Sequence, residues 1–230
     1  MQAVILAAGL GTRLRPLTDE TPKPLLRVGG VPLITRTLRE LPDIIDEVII
    51  VIGYRGEQIR TTVGDNGEGK KIRYVIQDEL KGSGHAVHAA RTLLSGRFLV
   101  LNGDDLYARA DLDRFVEHDL ALMVRELSVP IQSGAIVCDD RGRLVAIEES
   151  TFTTLVNTGS YMLDDRFWEY PLVPKAAGAT ELGLPQTIAG MVKGHTVAVV
   201  RSNFWMPVGT HEELARAEAH FAALAPELIS

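Results

Sequence analysis

Leu6-Ala7-Ala8-Gly9-Leu10-Gly11-Thr12-Arg13-Leu14-Arg15-Pro16-Leu17-Thr18, continuing through Thr21-Pro22-Lys23-Pro24-Leu25, is the stretch from which fold and chemistry are read. It follows Ala3-Val4-Ile5-Leu6, apolar at consecutive positions, the habit of a parallel strand covered on both faces. Loops at the carboxyl ends of such strands are where open α/β sheets bind ligands. Gly9 and Gly11 allow a backbone path that turns N–H groups inward and admits a phosphate. Arg13, Arg15, Lys23 and Arg27 concentrate positive charge there, and fixed cations beside backbone donors suit a polyphosphate. Pro22 and Pro24 stiffen the chain around Lys23. A plain surface turn would explain neither the length nor these prolines. A dinucleotide fingerprint needs a third glycine where Leu14 stands, and a Walker A loop needs a Gly-Lys-Ser/Thr triplet that does not follow this strand.

Outward from this loop, strand-like runs at 48–52, 72–76 and 98–101 alternate with amphipathic stretches at 32–41 and 84–94. The alternation predicts an α/β fold, a doubly wound, mixed and mainly parallel sheet. Beyond residue 120 the texture becomes β-rich, with strands expected at 122–127, 134–138, 144–147 and 155–163 and a turn at Asp139-Asp140-Arg141-Gly142. A helix is expected over 181–192, a strand over 196–200 and a last helix opened by Thr210 and Glu213 at capping-box spacing. No repeat or linker divides the chain. It reads as one domain over 1–230, with a nucleotide-binding half at 1–120 and a β-rich elaboration at 121–230 that covers the crevice.

Composition narrows the partners. Lys plus Arg number 24 against 30 Asp plus Glu, a net charge of −6 that disfavours nucleic acid and anionic membranes. The single cysteine, Cys138, excludes a disulfide framework within the chain. The first residues lack a basic leader and no stretch is long and apolar enough to span a bilayer, so a cytoplasmic location is expected. Oligomeric state is left open, with a homo-oligomer among the options.

Two downstream segments carry chemistry. Asn102-Gly103-Asp104-Asp105 follows the strand at 98–101. A carboxylate there suits Mg²⁺, which takes one or two carboxylates plus phosphates and waters; a turn or helix cap is the alternative. In Gln77 to Ala86, the Gln77 amide offers a donor and an acceptor, and Gly82 lets backbone approach closely. The alternative for Gln77 is an exposed edge position. His85 reads as a capping or packing residue rather than a catalyst.

The opening segment closely resembles the signature of the sugar-1-phosphate nucleotidylyltransferases, Leu-Ala-Ala-Gly-x-Gly-Thr-Arg-Leu-x-Pro-Leu-Thr followed by Pro-Lys-Pro. Gly103-Asp104, the 77–86 segment, Asn157-Thr158-Gly159-Ser160-Tyr161 and Glu181 before a helix extend the likeness from Ala3 to about Phe221. It implies a Rossmann-like nucleotide-diphospho-sugar transferase fold and Mg²⁺-dependent formation of an NDP-sugar and pyrophosphate from an NTP and a sugar 1-phosphate. UTP or dTTP is favoured. The brevity resembles glucose-1-phosphate thymidylyltransferases and the short uridylyltransferases that activate muramic acid phosphates. No hexapeptide-repeat segment is present, so a bifunctional acyltransferase is not expected. By resemblance, Arg13 binds the β- and γ-phosphates, Lys23 the α-phosphate and Asp104 the metal. Leu6, Ala7, Ala8, Gly9, Gly11, Thr12, Gln77, Gly82 and Ser83 would hold the nucleotide. Asn102, Gly134, Glu149, Asn157, Gly159 and Glu181 would hold the sugar phosphate.

The chain departs from that pattern twice. Ser150 follows Glu149 where the family has a sugar-phosphate lysine, leaving Lys175 or Arg143 as candidate replacements. Pro207, in Trp205-Met206-Pro207-Val208-Gly209-Thr210, stands where the family has a second metal carboxylate. These departures motivate two rivals. One is a catalytically weak nucleotide-sugar sensor or regulatory subunit. The other is a nucleotidyltransferase for a non-sugar phosphate such as phosphocholine, whose ammonium Phe152, Trp168, Tyr170 and Trp205 could box.

Overall fold

The computed structural model describes residues 1–224, and for Glu149 and Ser150 the backbone alone. In chain order the principal strands are β1 (Gln2–Ala7), β2 (Glu47–Ile52), β3 (Lys70–Ile76), β4 (Phe98–Asn102), β5 (Asp105–Tyr107), β6 (Ala121–Cys138), β7 (Leu144–Leu163), β8 (Ala198–Arg201) and β9 (Trp205–Pro207). The helices that flank them are α1 (Leu33–Glu40), α2 (Gly56–Val63), α3 (Gly82–Ala89), α4 (Arg109–Phe115), α5 (Leu184–Met191) and α6 (His211–Leu224).

The central sheet runs β8-β6-β7-β4-β1-β2-β3, with Asn66–Gly67 at the far edge. β1 lies parallel to β2 on one side and β4 on the other, and β3 continues the parallel run. β7 enters antiparallel to β4, pairing Tyr161 with Val100. The sheet is therefore mixed and mostly parallel, as the sequence predicts. Chain order reverses direction between β1 and β4, so their carboxyl ends form the crevice where such sheets take ligands.

Period-two alternation explains the uninterrupted apolar runs. Val4, Val51 and Val100 face a core shared with Ala86 and Val87 of α3 and Ile188 and Met191 of α5. Ala3, Ile5, Ile50 and Leu99 face the opposite core with Ile34 and Leu38 of α1 and Leu112 and Phe115 of α4. Each fully buried aliphatic side chain contributes about 1.5–3 kcal/mol. A third cluster joins Leu14, Val28, Leu33, Leu106, Val208 and Ala217, so the residue standing where a third glycine was sought anchors the loop to α6.

Three expectations change. The runs at 122–127 and 134–138 merge into β6, and those at 144–147 and 155–163 into β7. Register shifts between the two absorb the breaks read as strand ends. This hairpin is rooted in the central sheet rather than laid over it. The helix expected over 181–192 begins at Leu184, with Pro185 in its first turn, where proline's missing N–H costs nothing. Leu182–Gly183 instead pairs with Val173–Pro174, which places Lys175 opposite Glu181. At α6 the expected Thr210 cap forms, and only its reciprocal carboxylate bond shifts by one residue. Glu213 N–H donates to the Thr210 hydroxyl at 3.2 Å, and the Glu213 carboxylate accepts from Gly209 N–H at 2.7 Å.

Candidate active site

The glycine loop leaves β1 and folds under Lys23. Gly11 has φ +65°, and a Cβ there would stand 2.9 Å from Thr18 Cγ2 and 3.2 Å from Lys23 Cβ. The Thr18 hydroxyl donates to Gly11 carbonyl at 2.8 Å, closing the bend. Gly9 is different, because a Cβ there meets nothing within 4 Å. Its bare face opens into a cavity of about 420 Å³.

That cavity is lined by Leu6, Ala7, Ala8, Gly9, Leu10, Gly11 and Thr12 from the loop and by Lys23 and Pro24 below it. Gln77, Leu80, Gly82, Ser83 and Ala86 supply the wall from β3 into α3, and Asn102, Asp104 and Glu181 complete it. The nine residues expected at the nucleotide thus come together. Arg13 is exposed and does not line the cavity. Its guanidinium lies beside Gly209, 3.0 Å from where a Cβ would stand, without an ion pair to a described residue. Glu181, expected at the sugar phosphate, also lines this cavity.

A second cavity of about 340 Å³ adjoins the first through Leu6, Ser83 and Asn102. Gly134, Asn157, Gly159, Tyr161, Lys175 and Trp205 are among its lining residues. Both ends of the Asn157 amide are engaged, donating to Tyr161 hydroxyl at 2.7 Å and accepting from Gly159 N–H at 2.9 Å. Gly159, at φ +71°, leaves room for Asn102, whose Nδ2 would lie 2.1 Å from a Cβ. Lys175 lines this second cavity, its ammonium 3.4 Å from Glu181. Arg143 does not; it sits at the 139–142 turn, ion-paired with Asp139 at 2.6 Å. The Glu149 side chain lies outside the described residues. Of the four aromatics considered as an ammonium box, Trp205 lines this cavity. Trp168 stacks on Phe98, Tyr170 meets His195 edge to face, and Phe152 is 74% exposed.

Lys23 and Asp104 meet at the join of β1 and β4. Gly103 N–H donates to Leu6 carbonyl at 2.9 Å, which holds the turn against β1. Asp104 then ion-pairs with the Lys23 ammonium, both side chains largely buried. Asp105 turns the other way. It is 6% exposed, and its Oδ2 accepts from Asn102 Nδ2 and Trp205 Nε1, each at 3.2 Å. Burial, and then the charge of Asp104, push its carboxyl above the usual carboxylate range. Burial also raises the Tyr161 phenol, which stays a neutral hydroxyl. Pro207 sits directly across the β5–β9 ribbon from Asp105.

Among the described residues no group of three or more His, Cys, Asp or Glu side chains forms a metal cage. Asp104 lines the cavity beside the glycine loop, and Asp105 is committed behind it. One carboxylate facing a phosphate cradle fits Mg²⁺ as an ion shared with substrate phosphates.

Gln77 and Gly82, both expected at the nucleotide, make contacts that the sequence did not show. Gln77 is 5% exposed rather than an edge residue, and its amide nitrogen lies 3.1 Å from Gly82 carbonyl and 3.2 Å from His85 Nδ1. Gly82 takes φ +88°, and a Cβ there would stand 2.6 Å from the Leu182 carbonyl. The strand-to-helix turn that creates both contacts leaves no local signature.

A glycine loop, a lysine–carboxylate pair and a buried amide around one crevice at the sheet's switch point define an α/β nucleotide-binding protein. The chain belongs to the nucleotidyl transferase family, whose model matches residues 2–223. It is 30% identical over 224 residues to the bifunctional protein GlmU of Methanocaldococcus jannaschii, covering 96% of this chain and 54% of that protein. The chain thus spans about half the length of the GlmU relatives it matches. It is also 30% identical to the UTP–glucose-1-phosphate uridylyltransferase AglF of Haloferax volcanii, with 95% of each covered. A Bacillus anthracis structure assigned as a glucose-1-phosphate thymidylyltransferase, solved with sucrose, superposes with a TM-score of 0.83 at 26% identity. That superposition covers 96% of this chain and 94% of the other. Among the described residues no helix is long and apolar enough to cross a membrane.

Proposed function

We propose that the chain transfers a nucleotidyl group from UTP or dTTP to a sugar 1-phosphate, releasing pyrophosphate. The observation that carries this reading is the convergence of Lys23, Asp104 and the glycine loop on one cavity that adjoins a second. A phosphate oxygen of the sugar phosphate attacks the α-phosphorus in line. A new P–O bond forms, the α–β bridging bond breaks, and the pair of electrons leaves with pyrophosphate. The nucleophile is already anionic near neutral pH, since its second pKa is about 6, so no protein base is required. Catalysis is positioning and charge neutralisation.

In this reading the loop amides and Gly9 seat the triphosphate. Lys23 neutralises the α-phosphoryl oxygens, and Arg13, free at the rim, meets the β- and γ-phosphates. Mg²⁺, held by Asp104 with phosphate oxygens and water, would supply further neutralisation of phosphate charge. Lys175 takes the place of the lysine missing at Ser150 and draws the sugar phosphate toward the join of the cavities. In this reading 1–120 is the nucleotide-binding half and 121–230 the sugar-binding half of one domain. Pyrophosphate release with UTP, dTTP, CTP, GTP and ATP against a panel of sugar 1-phosphates and phosphocholine tests the proposal. Lys23→Ala and Asp104→Ala are each expected to lower turnover by at least about a hundredfold, the scale of losing one charge-stabilising group, with folding intact. Unchanged rates in both variants would refute the assignment. Nucleotide binding without pyrophosphate release from any acceptor would favour a sensor.

A further inference from the structure

The Gln77 amide is locked in one orientation by two acceptors. Its nitrogen donates one hydrogen to the Gly82 carbonyl at 3.1 Å and lies 3.2 Å from His85 Nδ1. A carbonyl oxygen can only accept, so the amide nitrogen, not its oxygen, must face Gly82. An amide nitrogen in turn has no acceptor capacity, so His85 Nδ1 must be the acceptor and the imidazole proton must sit on Nε2. Both amide hydrogens are then spent. The atom that Gln77 still brings to the cavity it lines is Oε1, an acceptor.

Resting on the nucleoside triphosphate reading above, we propose that His85 is a positioning residue for base choice. By taking the second amide hydrogen it leaves the Gln77 amide with an acceptor alone, which selects bases bearing a ring N–H. Uracil and thymine present N3–H, and guanine presents N1–H. Cytosine and adenine present a bare ring nitrogen and would face lone pair against lone pair. The β3-to-α3 turn thus reads one hydrogen on the base, and α3 supplies the residue that decides which hydrogen.

Calorimetric titration of the full chain with UTP, CTP and 3-methyluridine 5′-triphosphate tests this. The methylated analogue keeps the uracil carbonyls and carries N3–CH3 in place of N3–H. The wild-type protein is expected to bind both CTP and the analogue at least about tenfold more weakly than UTP, the scale of one hydrogen bond. His85→Leu should narrow the UTP-over-CTP preference by about tenfold. His85→Asn, whose Oδ1 can stand where Nδ1 stands, should restore it. A merely structural histidine would weaken both triphosphates together and leave their ratio unchanged. Equal wild-type affinity for UTP and its methylated analogue would overturn the proposal while leaving the nucleotide site intact, and needs no variant to fold. An unchanged UTP-to-CTP ratio in a folded His85→Leu protein would overturn it too. Binding of no triphosphate at all would overturn both this inference and the reading beneath it.

Discussion

Two glycines of the same loop do opposite work, and the difference is measurable. Gly11 has a positive φ and no room for a methyl group, because Thr18 stands 2.9 Å away. Gly9 has an ordinary φ and an unobstructed face on the cavity. Gly11→Ala is therefore expected to cost about 1–2 kcal/mol of stability, the penalty for a left-handed residue with a side chain. Gly9→Ala should leave stability within about 0.5 kcal/mol yet weaken UTP binding, because its methyl group enters the cavity. Chemical denaturation and calorimetry on the two variants separate these outcomes; a Gly9→Ala protein that binds UTP normally would place the nucleotide elsewhere. The loop residues were legible in the sequence because they are contiguous and their spacing is local. His85, Lys175 and the backing of Asp105 by Trp205 were not, since each depends on which distant elements the sheet brings together. Lys175 and Arg143 looked equivalent as charges, and only the pairing of Val173–Pro174 with Leu182–Gly183 distinguishes them.

At the scale of elements, turns were easier to read than strand ends. Asp139-Asp140-Arg141-Gly142 closes the β6–β7 hairpin as its residues predict. Asp139 Oδ1 accepts from Arg141 and Arg143 N–H at 2.9 and 3.0 Å, and Gly142 takes φ +69°. The strands on either side were read as four pieces because bulges interrupt their alternation, and a bulge looks like a strand end in a single sequence. The helix at α5 was started too early because Glu181 and Leu182 are compatible with a helix, while the cross-ribbon partner that claims them is distant in sequence. Hydrogen bonds, chiefly from the Arg143 side chain, hold the Asp139 carboxyl down to about 2, below the usual 3.8. A depressed folded-state pKa adds stability above the unfolded value that is lost as pH falls through the folded one. Asp139→Asn is thus expected to lower the melting temperature at pH 7, with the difference closing between pH 4 and pH 2. A difference independent of pH over that range would mean that the turn does not rest on the charged form.

Over the whole molecule, the two halves of the chain meet in one sheet rather than stacking as separate units. β7 is inserted next to β4, so strands from residues 121–163 share hydrogen bonds and core with strands from the first hundred. That arrangement sets the two cavities side by side at the carboxyl ends of β1 and β4, joined at Leu6, Ser83 and Asn102. The order of parallel strands was legible because consecutive apolar runs separated by amphipathic helices admit few topologies. The insertion of an antiparallel β7 was not, because its apolar pattern is the same whichever neighbour it takes. A crystal structure of the protein with UTP and Mg²⁺ tests the account most directly. The α-phosphate is expected against Lys23, the ion at Asp104 and the uracil N3–H on Gln77 Oε1. A nucleotide seated outside the cavity, or one whose phosphates lie away from Lys23 and Asp104, would contradict it.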